Sequence, residues 1–142
     1  FLIRISMNTF LLIAILIVGA LVFVAITINQ KKGHSFDVEE YQTNFLKIEN
    51  SLNKEQTTSF TACIVEADKL LDKALMEMGI PGKTMGDRLK RSGERFTQLN
   101  AVWHAHKLRN QIAHEAGFEI TYTQSRHALT VYRQALKDLG AI

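Results

Sequence analysis

From Phe10 to Ile28 the chain reads FLLIAILIVGALVFVAITI, nineteen residues without a single charge and nearly all apolar. A helix rises about 1.5 Å per residue, so a run of about twenty apolar residues matches the roughly 30 Å hydrocarbon core of a bilayer. What is left of the 142-residue chain makes one domain of about 100 residues, too small to wrap such a helix on every side. The uncharged stretch reaches back to Ile5 with only Ser6, Asn8 and Thr9 as polar interruptions. It is too long for the apolar region of a cleaved signal peptide, and no clear small-x-small site follows it. Residues 1–30 are therefore expected to form a single transmembrane anchor.

Charge sets the expected orientation. Arg4 precedes the span, whereas Lys31 and Lys32, and further on Lys47, follow it. The excess on the C-terminal side predicts a cell-membrane protein whose C-terminal domain is cytoplasmic. The lone Cys63 suits a reducing compartment and excludes an internal disulfide. Residues 31–36 read as a juxtamembrane hinge, spanning at most about 20 Å when extended, with two lysines suited to anionic headgroups. The formal net charge of +3 comes entirely from Arg4, Lys31 and Lys32, so the domain over 37–142 is neutral. Its charge is nonetheless polarised: residues 37–77 hold four cations against nine anions, and 83–142 hold ten against five. Two such halves can pair within one molecule or across a dimer, and a neutral domain predicts only weak non-specific attraction to nucleic acid.

The domain reads as helices throughout. Val38, Tyr41, Phe45, Ile48 and Leu52 recur at three- and four-residue steps, predicting an amphipathic helix over 37–54. Phe60, Ile64, Ala67, Leu71, Ala74 and Met78 predict a second over 58–78, ended by Gly79 and the turn at Pro81-Gly82. Thr84 as N-cap with Asp87 in the first turn opens a short helix to Ser92. A fourth covers 98–116, and a fifth covers 123–139 before Gly140. The β-prone stretch Phe118 to Tyr122 is too short to make a strand. The predicted fold is all-α: a four- to five-helix up-and-down bundle behind a single N-terminal transmembrane helix.

The fourth helix carries the chemistry. At 100° per residue, Ala101, Ala105, Leu108, Ile112 and Ala116 form an apolar stripe expected to face the core, while Asn100, His104, Lys107, Gln111 and Glu115 lie opposite. Between them Val102, Trp103, His106, Arg109, Asn110, Ala113 and His114 make a mixed flank, with Arg109 at its inner edge. A guanidinium does not lose its proton in a protein, so an inward Arg109 needs an anion beside it. Glu66, Asp68 or Asp72 of the second helix would make a structural ion pair; a phosphate would make a ligand site. A flank bearing Trp103 and His106 serves equally as a cleft wall or a dimer interface.

The order Arg109-Asn110-x-x-x-His114 resembles the signature of the HEPN superfamily of small helical domains, many of which are metal-independent ribonucleases or nucleotide-binding modules. The resemblance covers 37–142 in architecture and six residues in sequence. It implies a homodimer whose two copies of this segment converge on one cleft, acting on RNA or nucleotides without a metal or other cofactor. It further implies Arg109 stabilising charge on phosphate oxygens, His114 moving a proton, and Asn110 orienting His114 or the phosphate, with His106 as a spare phosphate contact. The tether and the neutral domain depart from a free, basic nuclease. A non-catalytic interaction or dimerisation module at the membrane is the alternative.

Three other features carry less. Gly82-Lys83-Thr84 lacks the spacing and the preceding strand of a phosphate-binding loop and reads as a turn before an N-cap. His104 and His106 point to different sides of their helix and make no zinc pair. Lys83, Arg88, Lys90, Arg91 and Arg95 surround Asp87 and Glu94 and read as a solvated face, or as RNA or headgroup contacts. A chain that starts with Phe1 and runs into an apolar helix is also similar to a mature type IV pilin, but Ile5 stands where that family has glutamate.

Overall fold

The computed structural model describes residues 7–30 and 34–142. Arg4, Ile5, Lys31 and Lys32 lie outside them, and so do most of the charge bias behind the expected orientation and the first half of the expected hinge. The described chain forms two separate units, residues 1–35 and 36–142.

The first unit is one helix, α1 (Met7–Gln30). Its segment Met7–Ile26 has a mean hydropathy of 3.1 and no buried side chain, and among the described residues it alone is long and apolar enough to cross a membrane.

The second unit is all-helical: α2 (Val38–Ser51), α3 (Thr57–Glu77), α4 (Met85–Ser92), a 3-10 turn (Gly93–Arg95), α5 (Leu99–His114) and α6 (Tyr122–Leu139). Capping fixes several ends. Asp37 accepts the Glu40 N–H at 3.0 Å to open α2, and Thr84 with Asp87 and Thr121 with Gln124 form reciprocal capping boxes at α4 and α6. At the close of α6 Gly140 is left-handed, with φ of 77°, a conformation that costs a residue without a Cβ little.

Helix α3 lies at the centre and packs on α2, α4, α5 and α6. Ile64, Leu71 and Leu75 of α3 are fully buried against Tyr41 and Phe45 of α2, Leu89 of α4, and Tyr132 and Leu136 of α6, within one core. Burying a side chain of this size contributes roughly 1.5–3 kcal/mol, and it is this, more than helix propensity, that holds the bundle together. Arg133 of α6 adds a bidentate pair to Glu49 of α2 and lies 5.3 Å over the Phe45 ring.

Helix α5 departs from its expected rotation. Val102, Ala105 and His106 are its buried residues, whereas Ala101, Leu108 and Ile112 are only half-buried and Ala116 is exposed beyond the helix end. The cause is steric and electrostatic. Ala101, Ala105 and Ala128 are too small to fill the α5–α6 seam, which retains a groove of about 220 Å³, while a carboxylate on α3 draws the polar flank of α5 inward.

Candidate functional site

Five polar residues are buried among the described residues: Asp68, Arg88, Ser92, His106 and Ser125. The two serines bond carbonyls of helical residues, Ser92 to Arg88 at 2.7 Å and Ser125 to Phe60 at 3.2 Å. The other three lie in one corner, where α3, α4 and α5 meet.

Asp68 is the hub. On α3 it falls on the stripe Ile64–Asp68–Leu71–Leu75, so helical geometry points it inward, and it is 4% exposed. Its Oδ1 accepts the Tyr132 hydroxyl from α6 at 2.9 Å and lies 2.9 Å from Nδ1 of His106 on α5. Its Oδ2 lies 3.5 Å from Nε of Arg109. Burial first, and then the Asp68 charge, push the pKa of the Tyr132 hydroxyl well above its ordinary value, so it remains a proton donor.

Asn110 closes a ring. Arg109 Nη1 donates to Asn110 Oδ1 at 3.3 Å, and Asn110 Nδ2 faces His106 Nε2 at 3.3 Å. Arg109 is thus held from two sides without being saturated: its Nε is shielded from solvent yet makes no hydrogen bond, and its side chain remains 28% exposed. The shielded Nε faces Asp68, so only the exposed part of the guanidinium offers donors to an incoming anion.

The ring forms the floor of a cleft of about 590 Å³, whose walls include Lys69 of α3, Thr84 and Gly86 at the start of α4, and Trp103 and His114 of α5. Trp103 meets the His106 ring edge-on at 6.1 Å between centroids. Five of the seven residues expected on the mixed flank, Trp103, His106, Arg109, Asn110 and His114, therefore line one cavity, while Val102 and Ala113 do not. Within it their roles shift. His106 is deep and held by Asp68, His114 is exposed at the end of α5, and Asn110 bonds His106 and Arg109 rather than His114.

The basic run divides. Lys83, Lys90, Arg91 and Arg95 are exposed, but Arg88 is buried, which corrects its assignment to a solvated or ligand-contacting face. Nε and Nη2 of Arg88 grip Asp72 at 2.6 and 2.8 Å, and Nη1 donates to the Gly82 carbonyl at 2.6 Å. The spacing Met85–Arg88–Leu89–Ser92 puts Arg88 on the inner face of α4, so the periodicity that singled out Arg109 applies to it too. The same test would have found Asp68. Nothing in the sequence marked Tyr132 as more than a core aromatic.

Among the described residues no cluster of three or more His, Cys, Asp or Glu side chains is placed to hold a metal ion. Comparison with protein-family models, curated proteins and solved structures finds no match for this chain.

Proposed function

We propose that the chain is a single-span membrane protein whose cytoplasmic helical domain binds and cleaves RNA in the α3–α4–α5 cleft, by the metal-independent chemistry implied by its likeness to HEPN domains. One observation carries the proposal: Arg109, a permanent cation whose side chain stays 28% exposed, shares a cleft with two imidazoles and the chain's one tryptophan. Arg109 would hold phosphate oxygens through charge-assisted bonds, His114 would exchange a proton at the rim, and Trp103 would offer a stacking face to a base. Two copies meeting through the Trp103–His114 flank would enclose the bound strand. The hydropathy of α1 supports the anchor.

A second reading has its own support. Asp68 lies 3.5 Å from Arg109, so the arginine has an internal counter-charge, as a non-catalytic interaction module would require. Full-length protein in detergent micelles, incubated with single-stranded RNA in excess EDTA, separates the two. Phosphate chemistry predicts cleavage that is lost in Arg109→Ala and His114→Ala. No cleavage by the wild type, or equal cleavage by all three proteins, leaves the interaction module standing.

A further inference from the structure

We infer that His106, oriented by Asp68, is the proton-accepting base of the cleft, and that His114 serves as the acid. The inference rests on the RNA-cleaving reading above and divides its chemistry between two side chains.

The hydrogen-bond ring fixes which nitrogen of His106 is free. Oδ1 of Asp68 already accepts the Tyr132 hydroxyl, and a carboxylate oxygen only accepts, so the His106 nitrogen 2.9 Å away must donate; Nδ1 carries hydrogen. The opposite side of the ring gives the same answer independently. Arg109 can only donate, so Asn110 turns its oxygen to Arg109 and its NH2 group to His106. Nε2 of His106 must then accept, through its lone pair. A carboxylate behind Nδ1 and a lone pair on Nε2 are what a general base requires.

Access is available from the cleft side. Gly86 faces this nitrogen: a Cβ there would be in van der Waals contact, 3.9 Å from Nε2 and 3.8 Å from Trp103, so glycine leaves a methyl-sized space beside it. The Asn110 bond to Nε2 is long, at 3.3 Å, and its loss to a substrate hydroxyl exchanges one partner for another. His106 also lies on the ridge between the main cleft and a second recess of about 440 Å³, both lined by Trp103, His106 and Asn110. A phosphodiester carries a nucleoside on either side, so its phosphorus belongs where two recesses meet.

The step balances without a co-reactant. The ribose 2′-hydroxyl gives its proton to Nε2 of His106, and the 2′-oxygen bonds to phosphorus. The bond from phosphorus to the 5′-oxygen breaks, and that oxygen takes a proton from protonated His114. The products are a 2′,3′-cyclic phosphate and a 5′-hydroxyl, and the two imidazoles exchange protons with solvent before the next turnover.

The test uses full-length protein in micelles and a single-stranded RNA with EDTA present. His106→Ala should lower cleavage by about 10²- to 10⁴-fold, and added imidazole should restore part of the rate, which a purely structural histidine would not allow. RNA carrying a 5′-thio leaving group, which needs no acid, should rescue His114→Ala but not His106→Ala. In wild type, two-bond ¹H–¹⁵N correlation spectra should find neutral His106 protonated at Nδ1. Cleavage by wild type that His106→Ala leaves unchanged, or a neutral His106 protonated at Nε2, overturns the assignment and leaves the RNA-cleaving reading intact. Absence of cleavage by the wild type overturns both.

Discussion

Removing the carboxylate of Asp68 should destabilise the bundle more than any other single change in the cleft. Asp68→Ala leaves two donors, the Tyr132 hydroxyl and Nδ1 of His106, without their 2.9 Å acceptor, in residues 0% and 8% exposed. A buried donor left unpaired costs about 1–3 kcal/mol. Arg109 also loses its counter-charge, but at 28% side-chain exposure it can turn to water, so this adds about 1 kcal/mol at most. The sum is about 2–7 kcal/mol, against a total of about 5–15 kcal/mol for a domain of this size. With a shift of about 4–8 °C per kcal/mol, Tm should fall by at least about 8 °C. Asp68→Asn separates the contributions. Its oxygen can still accept from Tyr132 and His106, while its NH2 group opposes the Arg109 donor, so the loss should be only about 1–2 kcal/mol. Trp103 reports on the bundle alone, because it is the one tryptophan in the chain and α1 has none. Thermal or urea unfolding of the full chain in micelles, followed by Trp103 emission, should rank wild type above Asn above Ala. An Asp68→Ala protein that melts within 1 kcal/mol of wild type, or above Asp68→Asn, refutes the hub role.

Further expectations follow from the neighbouring elements. Arg88→Met should cost about 3 kcal/mol by stranding Asp72, and Arg88→Met with Asp72→Leu should recover most of it; the same unfolding assay reads both, with Lys90→Ala as a near-neutral control. Gly86→Ala should stabilise α4 by about 0.5–1 kcal/mol, because an added Cβ meets Thr84, Trp103 and His106 only at 3.7–3.9 Å. Stability should fall at acid pH through Asp87 and Asp138. Hydrogen bonds from the Thr84 backbone and side chain hold Asp87 below its ordinary 3.8. Burial, the largest single effect, raises Asp138, but bonds from Gln134 and from the Thr97 backbone and hydroxyl together outweigh it and leave its pKa lowered. Carboxylates lowered by folding stabilise above their unfolded pKa and lose that stability as pH falls through the folded one, so the decline should begin near pH 4 and deepen below it. In Asp87→Asn and Asp138→Asn the same titration of Tm should be flatter there.

The sequence disclosed the helices more fully than their meeting points. Gly79, Thr84 and Gly140 act through their own backbone or the next turn, so the ends of α3, α4 and α6 could be read locally. The end of α5 came two residues earlier than expected, since Glu115 leaves the helical region at φ of −99° and ψ of 110°. The inward Arg109 could be read from periodicity alone. Its acid could not, because Glu66, Asp68 and Asp72 differ by helix rotations that only packing resolves. Packing assigned Asp68 to Arg109 and His106, gave Asp72 to Arg88, and left Glu66 on the surface with Lys69. The rotation of α5 was misread for a related reason. Alanines count as apolar in a helical wheel, but Ala101, Ala105 and Ala128 bury too little surface to outweigh a buried carboxylate seeking partners.

The cleft's capacity to take a phosphodiester is tested most directly by the Arg Nε–Hε resonances of the full chain in micelles, titrated with a 2′-deoxy dinucleotide that cannot be cleaved. Arg109, whose Nε makes no hydrogen bond, should shift and saturate, while Arg88, gripped by Asp72 and Gly82, should stay fixed. Shifts confined to Arg91 and Arg95 on the surface, with Arg109 unmoved, would contradict a phosphate site in the cleft.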